Sequence, residues 1–281
     1  MNIKEVKELL DKYNLNAKKG FGQNFLVDDN ILKKIAYSLK DKNYKGVIEV
    51  GPGLGSLTRY LVESYDKVLC YEIDTDMIEV LNDTIKCNKL TIKEGDFLKS
   101  NVSKDIKENF DTEVCLIANL PYYITSPILL KLLEEVREIK DIVIMIQKEV
   151  AERFCAKPNT KDYNALSVLI QYFTKATKLF DVSPSAFVPA PKVSSSVIHL
   201  CYKEEEWLKG EDLSFFLKFN RNIFKQRRKT LVNNISASYQ ISKEEAGNIL
   251  EENGFSKTIR SEVLSVEEIV HLSQIFKNKL A

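Results

Sequence analysis

Short apolar runs rich in β-branched residues recur along the first part of the chain. They lie at residues 46–50, 67–73, 89–93, 114–118 and 142–146. The runs are apolar on both faces, which predicts parallel strands covered by helices.

Amphipathic segments connect these runs. Residues 57–64, 76–85 and 127–135 have helical spacing and fit crossover helices between the strands. The alternation predicts an α/β fold with a Rossmann-like, doubly wound sheet. Two further β-like runs, 175–182 and 193–202, flank a proline-rich segment and could close the sheet with an antiparallel pair, making it seven-stranded.

The pattern changes after the acidic triplet that ends at residue 206. Helical periodicity then recurs at residues 213–224, 229–236, 243–253 and 266–276. We therefore predict two domains, an α/β domain over residues 1–204 and a small all-α domain over residues 205–281.

Composition restricts the class of protein. The chain has 281 residues, of which 44% are hydrophobic and 29% charged, so a folded, two-domain protein is expected. No apolar run is long enough to cross a bilayer, so no membrane association is expected. Residues 1–14 predict a charged amphipathic helix without the features of a secretory signal, which favours a cytoplasmic location.

Cysteine and histidine content argues against several chemistries. The five cysteines are scattered without a C-x-x-C pair, which disfavours a disulfide framework and a zinc ribbon. Only His199 and His271 are available for a histidine-based triad or a histidine-rich metal site. Hydrolase chemistry is therefore disfavoured, and no metal site is expected.

A glycine-rich turn follows the first predicted strand of the sheet. The glycines are Gly51, Gly53 and Gly55, and glycines at such a turn let a ligand approach the backbone. The spacing is not G-x-G-x-x-G, and Pro52 removes an N–H donor that an anion would use. A dinucleotide is therefore disfavoured.

The next two predicted strands each have a carboxylate at their end. Glu72 lies where an acid binds ribose hydroxyls in nucleotide-binding α/β folds, and Asp96 could accept a hydrogen bond from an adenine amine. A ligand with adenine and ribose but no pyrophosphate fits both acids, and S-adenosylmethionine is the candidate.

The most specific signal follows the fourth predicted strand, at Asn119, Leu120, Pro121 and Tyr122. If an adenine is the methyl acceptor, the Asn119 side-chain oxygen and the Leu120 carbonyl can each accept a hydrogen from its exocyclic amine. The lone pair of the amine is thereby directed toward the methyl donor. Tyr122 can stack on the base.

These motifs together resemble the small-subunit ribosomal RNA adenine dimethyltransferases, relatives of the erythromycin-resistance methyltransferases. The resemblance covers nearly the whole chain, and the order and spacing of the matching segments are highly specific. The matching segments are residues 19–26, 49–58, 72–74, 95–98, 119–124, 146–153 and 187–197.

The resemblance implies roles for individual residues. Asn24 and Leu26 would lie over the cofactor, and the glycines of the turn would hold its methionine end. The cofactor residues are then Asn24, Leu26, Gly51, Gly53, Gly55, Glu72, Asp96 and Asn119. The residues from Asn119 to Tyr122 would hold the target base, with Phe187 stacking on its other face.

The resemblance also implies a reaction and a partner. Two adjacent adenosines in a hairpin near the 3′ end of small-subunit rRNA would each be dimethylated at N6, within a pre-30S particle, during subunit biogenesis. We expect the enzyme to be a monomer.

A basic segment at residues 218–229 is the candidate RNA-binding element. It carries six basic residues and no acidic one, although the net charge of the chain is only +1. On a helix-turn-helix element these side chains could contact phosphates and the minor groove of an RNA helix. The candidates are Arg221, Lys225, Arg227, Arg228 and Lys229, with Lys18 and Lys19 as a further pair across the cleft.

Two alternatives stay open. One is methylation of large-subunit rRNA, as in macrolide resistance, although residues 119–123, 187–191 and 227–231 look more like the small-subunit branch. The other is a ribosome-assembly factor that binds the immature subunit and uses methylation only as a release signal.

Overall fold

Two compact units make up the structure, a computed structural model that describes residues 1–15, 23–204 and 208–280. The first, here called the sheet unit, consists of Met1–Ala151 and Thr177–Tyr202. The second, called the helical unit, consists of Glu152–Ala176 and Lys203–Ala281. This division differs from a single boundary after residue 204, because 152–176 packs with the C-terminal helices.

The strands and helices occupy the following ranges in the described residues. The strands are β1 (Phe25–Leu26), β2 (Gly46–Val50), β3 (Lys67–Glu72), β4 (Leu90–Glu94), β5 (Val114–Asn119), β6 (Ile139–Gln147), β7 (Thr174–Val182), β8 (Phe187–Val188) and β9 (Ser195–Tyr202). The helices are α1 (Ile3–Lys12), α2 (Asp29–Ala36), α3 (Thr58–Ser64), α4 (Thr75–Thr84), α5 (Val102–Asn109), α6 (Thr125–Glu135), α7 (Lys148–Phe154), α8 (Ala165–Phe173), α9 (Gly210–Ile223), α10 (Leu231–Tyr239), α11 (Lys243–Glu252) and α12 (Val266–Leu280).

The predicted seven-stranded sheet is confirmed within the part of the chain that the structure describes. Its strand order is β4-β3-β2-β5-β6-β9-β7. Neighbouring strands from β4 to β6 are parallel, whereas β9 runs antiparallel to β6. All five residues of β2 are buried, as expected of a parallel strand covered on both faces. The α/β class is therefore confirmed.

One crossover helix, α5, is absent from the sequence prediction. Its eight residues include only two apolar side chains, Val102 and Ile106, both buried one turn apart. The Asn101 side chain caps the helix by accepting a hydrogen bond from the backbone N–H of Lys104 at 3.1 Å. Two apolar residues are too few for a clear helical period, so the packing and the cap define this helix.

A short second sheet lies outside the main one. In it β1 pairs antiparallel with β8, with Phe25 opposite Val188 and Leu26 opposite Phe187. The pairing joins parts of the chain far apart in sequence. It brings the segment that begins at Asn24 beside Phe187, two positions that the sequence related only through the family resemblance.

The helical unit is held together by aromatic packing. The Tyr172 ring lies 4.5 Å from the ring of Phe216, between centroids, and Phe219 stacks on Phe276 at 5.6 Å. The predicted C-terminal helices are present, although α9 begins at Gly210 and α10 begins only at Leu231. Among the described residues, no helix is both long and apolar enough to span a membrane.

Candidate functional site

The strand order of the main sheet reverses between β2 and β5, which are adjacent. Parallel α/β sheets bind ligands outside the carboxyl ends of their strands at such a switch point. Gly51 follows β2, and Asn119 ends β5. A side chain on Gly51 would lie 3.6 Å from the Pro121 ring, so the two loops are in close contact.

A cavity of about 320 Å³ opens at this edge of the sheet unit. Its volume lies in the range of small-molecule sites. Most of the residues predicted for the cofactor and the base line this cavity. They are Asn24, Leu26, Gly51, Gly53, Glu72, Asp96, Asn119, Leu120, Pro121, Tyr122 and Phe187.

Gly55 does not line the cavity, unlike the other two glycines of the turn. Its φ is +78°, and a side chain there would approach Leu81 and Ile85 to 2.8 Å. The structure therefore gives Gly55 a packing position against α4, and nothing in it places Gly55 on the ligand. The three glycines are evenly spaced in the sequence, so the sequence did not distinguish the packing position of Gly55 from the cavity-lining positions of Gly51 and Gly53.

The cavity wall at the glycine-rich turn is formed by bare backbone. Gly51 and Gly53 have φ of +70° and +56°, a conformation that favours glycine. A side chain on Gly53 would also lie 3.4 Å from the Phe25 ring. A ligand can therefore approach this stretch of main chain closely.

Glu72 is buried and organises the loops around it. One carboxylate oxygen accepts a hydrogen bond from the Gly53 N–H at 3.0 Å, and the other accepts from the N–H groups of Ile73 and Asp74 at 2.9 Å. Burial raises the pKa of Glu72, and these three backbone donors oppose the rise. The oxygen that accepts only from Gly53 keeps an acceptor position for a ligand hydroxyl.

Asp96 lies half-buried at the end of the neighbouring strand. One of its carboxylate oxygens accepts a hydrogen bond from the Leu98 N–H at 2.9 Å. The N–H of Gly95 donates to the Glu72 carbonyl at 2.8 Å, which links the two acidic loops. Both carboxylates therefore line one cavity from adjacent strands.

The segment after β5 contributes an amide, a proline and an aromatic ring to the cavity. Leu120 donates its N–H to the Met145 carbonyl at 3.2 Å, and a 3₁₀ turn follows at Tyr122–Ile124. The Tyr122 hydroxyl forms a 2.6 Å hydrogen bond with the hydroxyl of the buried Ser195. Burial raises the pKa of Tyr122, which keeps its hydroxyl protonated.

Phe187 reaches the cavity through the β1–β8 sheet. It is 3% exposed and faces Leu26 in the strand pairing. Asn24, which immediately precedes β1, lines the same cavity. The cavity therefore combines residues from the beginning, the middle and the end of the sheet unit.

Several residues at this site were not among the predicted site residues, and three of them carry polar groups that bear on its chemistry. Tyr123 is 55% exposed and lines the cavity beside Tyr122, and Ser195 bonds the Tyr122 hydroxyl. Glu49 also lines the cavity, fully enclosed within β2. An acid inside an otherwise apolar strand was a signal for Glu49, whereas no local pattern marked Ser195.

Burial raises the pKa of Glu49 to about 7, although hydrogen bonds from the Thr58 hydroxyl at 2.7 Å and from Cys70 favour the ionised form. The pKa of Glu49 is near 4.5 in the unfolded chain. Between pH 4.5 and 7 the folded chain therefore holds a proton on Glu49 that the unfolded chain has lost. We expect the stability of the wild type, relative to Glu49→Gln, to fall as pH rises from 5 to 8, by about 3 kcal/mol.

Urea denaturation of both proteins at several pH values in this window measures the difference. The variant Glu63→Gln, which removes an exposed carboxylate on α3, is the matched control and should follow the wild type. A constant difference between Glu49→Gln and the wild type across the window would contradict the raised pKa.

The predicted RNA-binding residues lie on the helical unit, except for Lys18 and Lys19, which are outside the described residues. The five predicted residues of the basic segment lie at the end of α9 or in the turn before α10, and each is exposed. The Arg227 guanidinium donates a hydrogen bond to the Lys161 carbonyl. The exposed residues are Arg221, Lys225, Arg227, Arg228 and Lys229.

Comparison with known sequences identifies relatives over almost the full length. A family model described as ribosomal RNA adenine dimethylase matches residues 14–277. Ribosomal RNA small subunit methyltransferase A from Bacillus pumilus is 44% identical, with 98% of this chain and 96% of the relative aligned. The protein of the same name from Lactococcus lactis is 40% identical over 97% and 94% of the two chains.

Comparison with solved structures agrees. A dimethyladenosine transferase from Plasmodium falciparum superposes with a TM-score of 0.77 and 29% identity, covering 91% of this chain and 98% of that one. The 23S rRNA methyltransferase ErmE shares the fold, with a TM-score of 0.64 and 23% identity over 90% of this chain and 100% of its own.

Proposed function

The chain belongs to the ribosomal RNA adenine dimethylase family, and from this premise we propose that it dimethylates the N6 amines of two adjacent adenosines near the 3′ end of small-subunit rRNA. The methyl donor is S-adenosylmethionine. One observation carries the proposal. A single cavity gathers the two acids suited to a nucleoside and the amide, proline and aromatic residues suited to an adenine acceptor.

The residues of the cavity fit this cofactor. Glu72 would accept a hydrogen bond from a ribose hydroxyl at its remaining acceptor position, and Asp96 would accept one from the adenine amine. The bare backbone at Gly51 and Gly53 would hold the methionine end, and Asn24 and Leu26 would lie over the cofactor. When bound, S-adenosylmethionine supplies an electrophilic methyl group on a sulfonium.

The acceptor base would be held mainly by positioning. The Asn119 side-chain oxygen and the Leu120 carbonyl would accept the hydrogens of the N6 amine, which frees its lone pair for attack. Tyr122 and Phe187 would stack on the two faces of the flipped base. Holding the amine at near-attack distance supplies most of the rate enhancement, and the proton leaves to water afterwards.

Ser195 would help to orient the Tyr122 ring. Their hydroxyls are 2.6 Å apart, and Ser195 lies on β9, opposite Gln147 of β6. The bond restricts the tyrosine without involving the face that would stack on the base. Tyr122 therefore acts as a rigid wall of the acceptor site.

Replacing Glu72 tests the cofactor assignment. We expect Glu72→Ala to weaken S-adenosylmethionine binding by about 10- to 100-fold, because charge-assisted hydrogen bonds to the ribose are lost. Isothermal titration calorimetry measures the affinity. Glu94→Gln is the control, since Glu94 is the exposed cross-strand neighbour of Glu72. Unchanged affinity in Glu72→Ala would remove Glu72 from the cofactor site.

The substrate branch is tested directly by methyl transfer. The protein and radiolabelled S-adenosylmethionine are incubated with unmethylated 30S particles and, separately, with protein-free 23S rRNA, and the nucleosides are analysed. We expect dimethyladenosine in the small-subunit RNA alone. Label in 23S rRNA would favour the resistance branch, and tight particle binding without label would favour the assembly-factor alternative.

The reaction would take place on an assembling ribosomal subunit. The partner is a pre-30S particle in the cytoplasm, and the chain acts on it as a monomer. Exposed basic side chains at the end of α9 and in the following turn would contact the rRNA backbone. Such contacts read the shape of an RNA helix and leave base selection to the cavity.

A further inference from the structure

A second group of metal-ligating side chains lies at the end of the main sheet opposite the cavity. Asp141 is near the start of β6, whereas the cavity lies beyond the carboxyl ends of the parallel strands. His199 and Cys201 are near the end of β9, which is antiparallel to β6. Neither the cofactor nor the acceptor base, as placed above, uses these residues.

The strand register brings the three side chains together. Asp141 is opposite Cys201, and Val143 is opposite His199. Because alternate residues of a strand share a face, His199 and Cys201 point to the same side of the sheet. Their ligand atoms and those of Asp141 all lie within 4.8 Å of one another.

The group is reachable from solvent yet held in place. The Asp141 side chain is only 3% exposed, whereas that of His199 is 21% exposed. The Nε2 atom of His199 lies 2.5 Å from one Asp141 oxygen, and the Tyr44 hydroxyl donates to the other oxygen at 2.5 Å. The Tyr44 hydrogen bond is of the outer-shell kind that supports a ligating carboxylate in metal sites, whereas the His199–Asp141 bond joins two of the ligands directly.

We propose that Asp141, His199 and Cys201 bind one zinc-class divalent cation, with water as the fourth ligand. Imidazole, thiolate and carboxylate are the ligand types that Zn²⁺ takes, and three protein ligands plus water is a common set. Bonds of about 2.0 to 2.3 Å separate tetrahedral ligand atoms by roughly 3.3 to 3.8 Å. Binding therefore requires the Asp141–His199 hydrogen bond to open by about 1 Å and the thiol to move inward.

Binding of the ion displaces protons from its ligands. The Cys201 thiol proton, and a proton on the ligating Nε2 where one is present, are released to water as the ion binds. The ion then joins β6 to β9 through side chains, in addition to the strand hydrogen bonds. Because the ligands lie away from the cavity, the expected effect is on the stability of the sheet unit.

Cobalt is a suitable spectroscopic probe, since Co²⁺ occupies zinc-type sites and a thiolate ligand adds a charge-transfer absorption in the near ultraviolet. We expect the purified full chain to bind one equivalent of Co²⁺ with this band, and Zn²⁺ to displace it. Cys201→Ser should abolish the band, and His199→Gln should weaken binding strongly. Tyr44→Phe should weaken it by about 10-fold, as outer-shell changes do.

Cys87→Ser is the matched control, because Cys87, like Cys201, is a partly exposed cysteine of the sheet unit outside any disulfide. This variant should retain the band and the affinity. Circular dichroism and S-adenosylmethionine affinity verify that each variant is folded. A wild type without the band, or a band that survives in Cys201→Ser, would overturn the proposal and leave the group as a hydrogen-bonded network between two strands.

The thermal midpoint gives an independent measurement. A ligand that binds only the folded chain raises the midpoint as its concentration increases. We expect Zn²⁺ to raise the midpoint of the wild type and of Cys87→Ser, and to leave that of Cys201→Ser unchanged. Equal shifts in all three proteins would place the ion elsewhere and contradict the assignment.

Discussion

Asn119→Ala is expected to lower the rate of methyl transfer by about 100- to 1000-fold, the typical loss when one preorganised hydrogen-bonding group is removed from a reacting centre. The amide ends β5 and lines the cavity, and the neighbouring Leu120 N–H is bonded to Met145. Loss of the Asn119 side chain leaves the acceptor amine with one hydrogen-bond partner fewer, so the lone pair of the amine is no longer directed at the methyl group.

Single-turnover assays on unmethylated 30S particles measure this rate, and calorimetry measures S-adenosylmethionine affinity separately. We expect that affinity to change by less than about 10-fold, because Glu72 and Asp96 remain. Asn30→Ala, which removes an exposed amide from α2, is the control and should behave as wild type. A full methylation rate in Asn119→Ala would remove Asn119 from the acceptor site.

The same variant separates catalysis from assembly. In cells that lack the native protein, Asn119→Ala should bind immature subunits and fail to restore their maturation if chemistry is the main function. Rescue equal to that of the wild type would show that binding is the main function. This outcome would favour the assembly-factor alternative without changing the family assignment.

Reversing two charges in the basic segment is expected to lower rRNA affinity by roughly 100-fold at low salt. We choose Arg228→Glu/Lys229→Glu, because both side chains are exposed, whereas the Arg227 guanidinium bonds the Lys161 carbonyl. The slope of log affinity against log salt should become shallower by about 2, one for each lost phosphate contact. Cofactor affinity should be unchanged.

Filter binding or fluorescence anisotropy across a salt series measures the slope. The double variant Lys209→Glu/Lys243→Glu changes the net charge equally at exposed positions of the helical unit outside the segment. It should lose less affinity and retain the wild-type slope. Equal slopes for the wild type and Arg228→Glu/Lys229→Glu would leave the segment as a solvated surface.

Much of the main sheet was predictable because its signals are local. Runs of apolar residues marked β2, β3, β5 and β6, which are largely buried, and the first and second crossover helices are close to their predicted ranges. Helix α5 was not predicted, since its apolar residues are only Val102 and Ile106. Residues 152–176 join the helical unit through contacts such as the Tyr172 ring on Phe216, which no local period could indicate.

The sequence by itself determined the α/β class, the order of the strands along the chain and the residues at the carboxyl ends of the strands, among them Glu72 and Asn119. These depend on side-chain periodicity and on the rule that parallel strands present their carboxyl ends at one edge. The tertiary structure alone decided that Phe187 meets the segment before β1, that Ser195 bonds Tyr122, and that Gly55 packs away from the cavity. Such contacts join residues far apart along the chain or depend on the exact backbone path, so their geometry arises only when the whole unit packs.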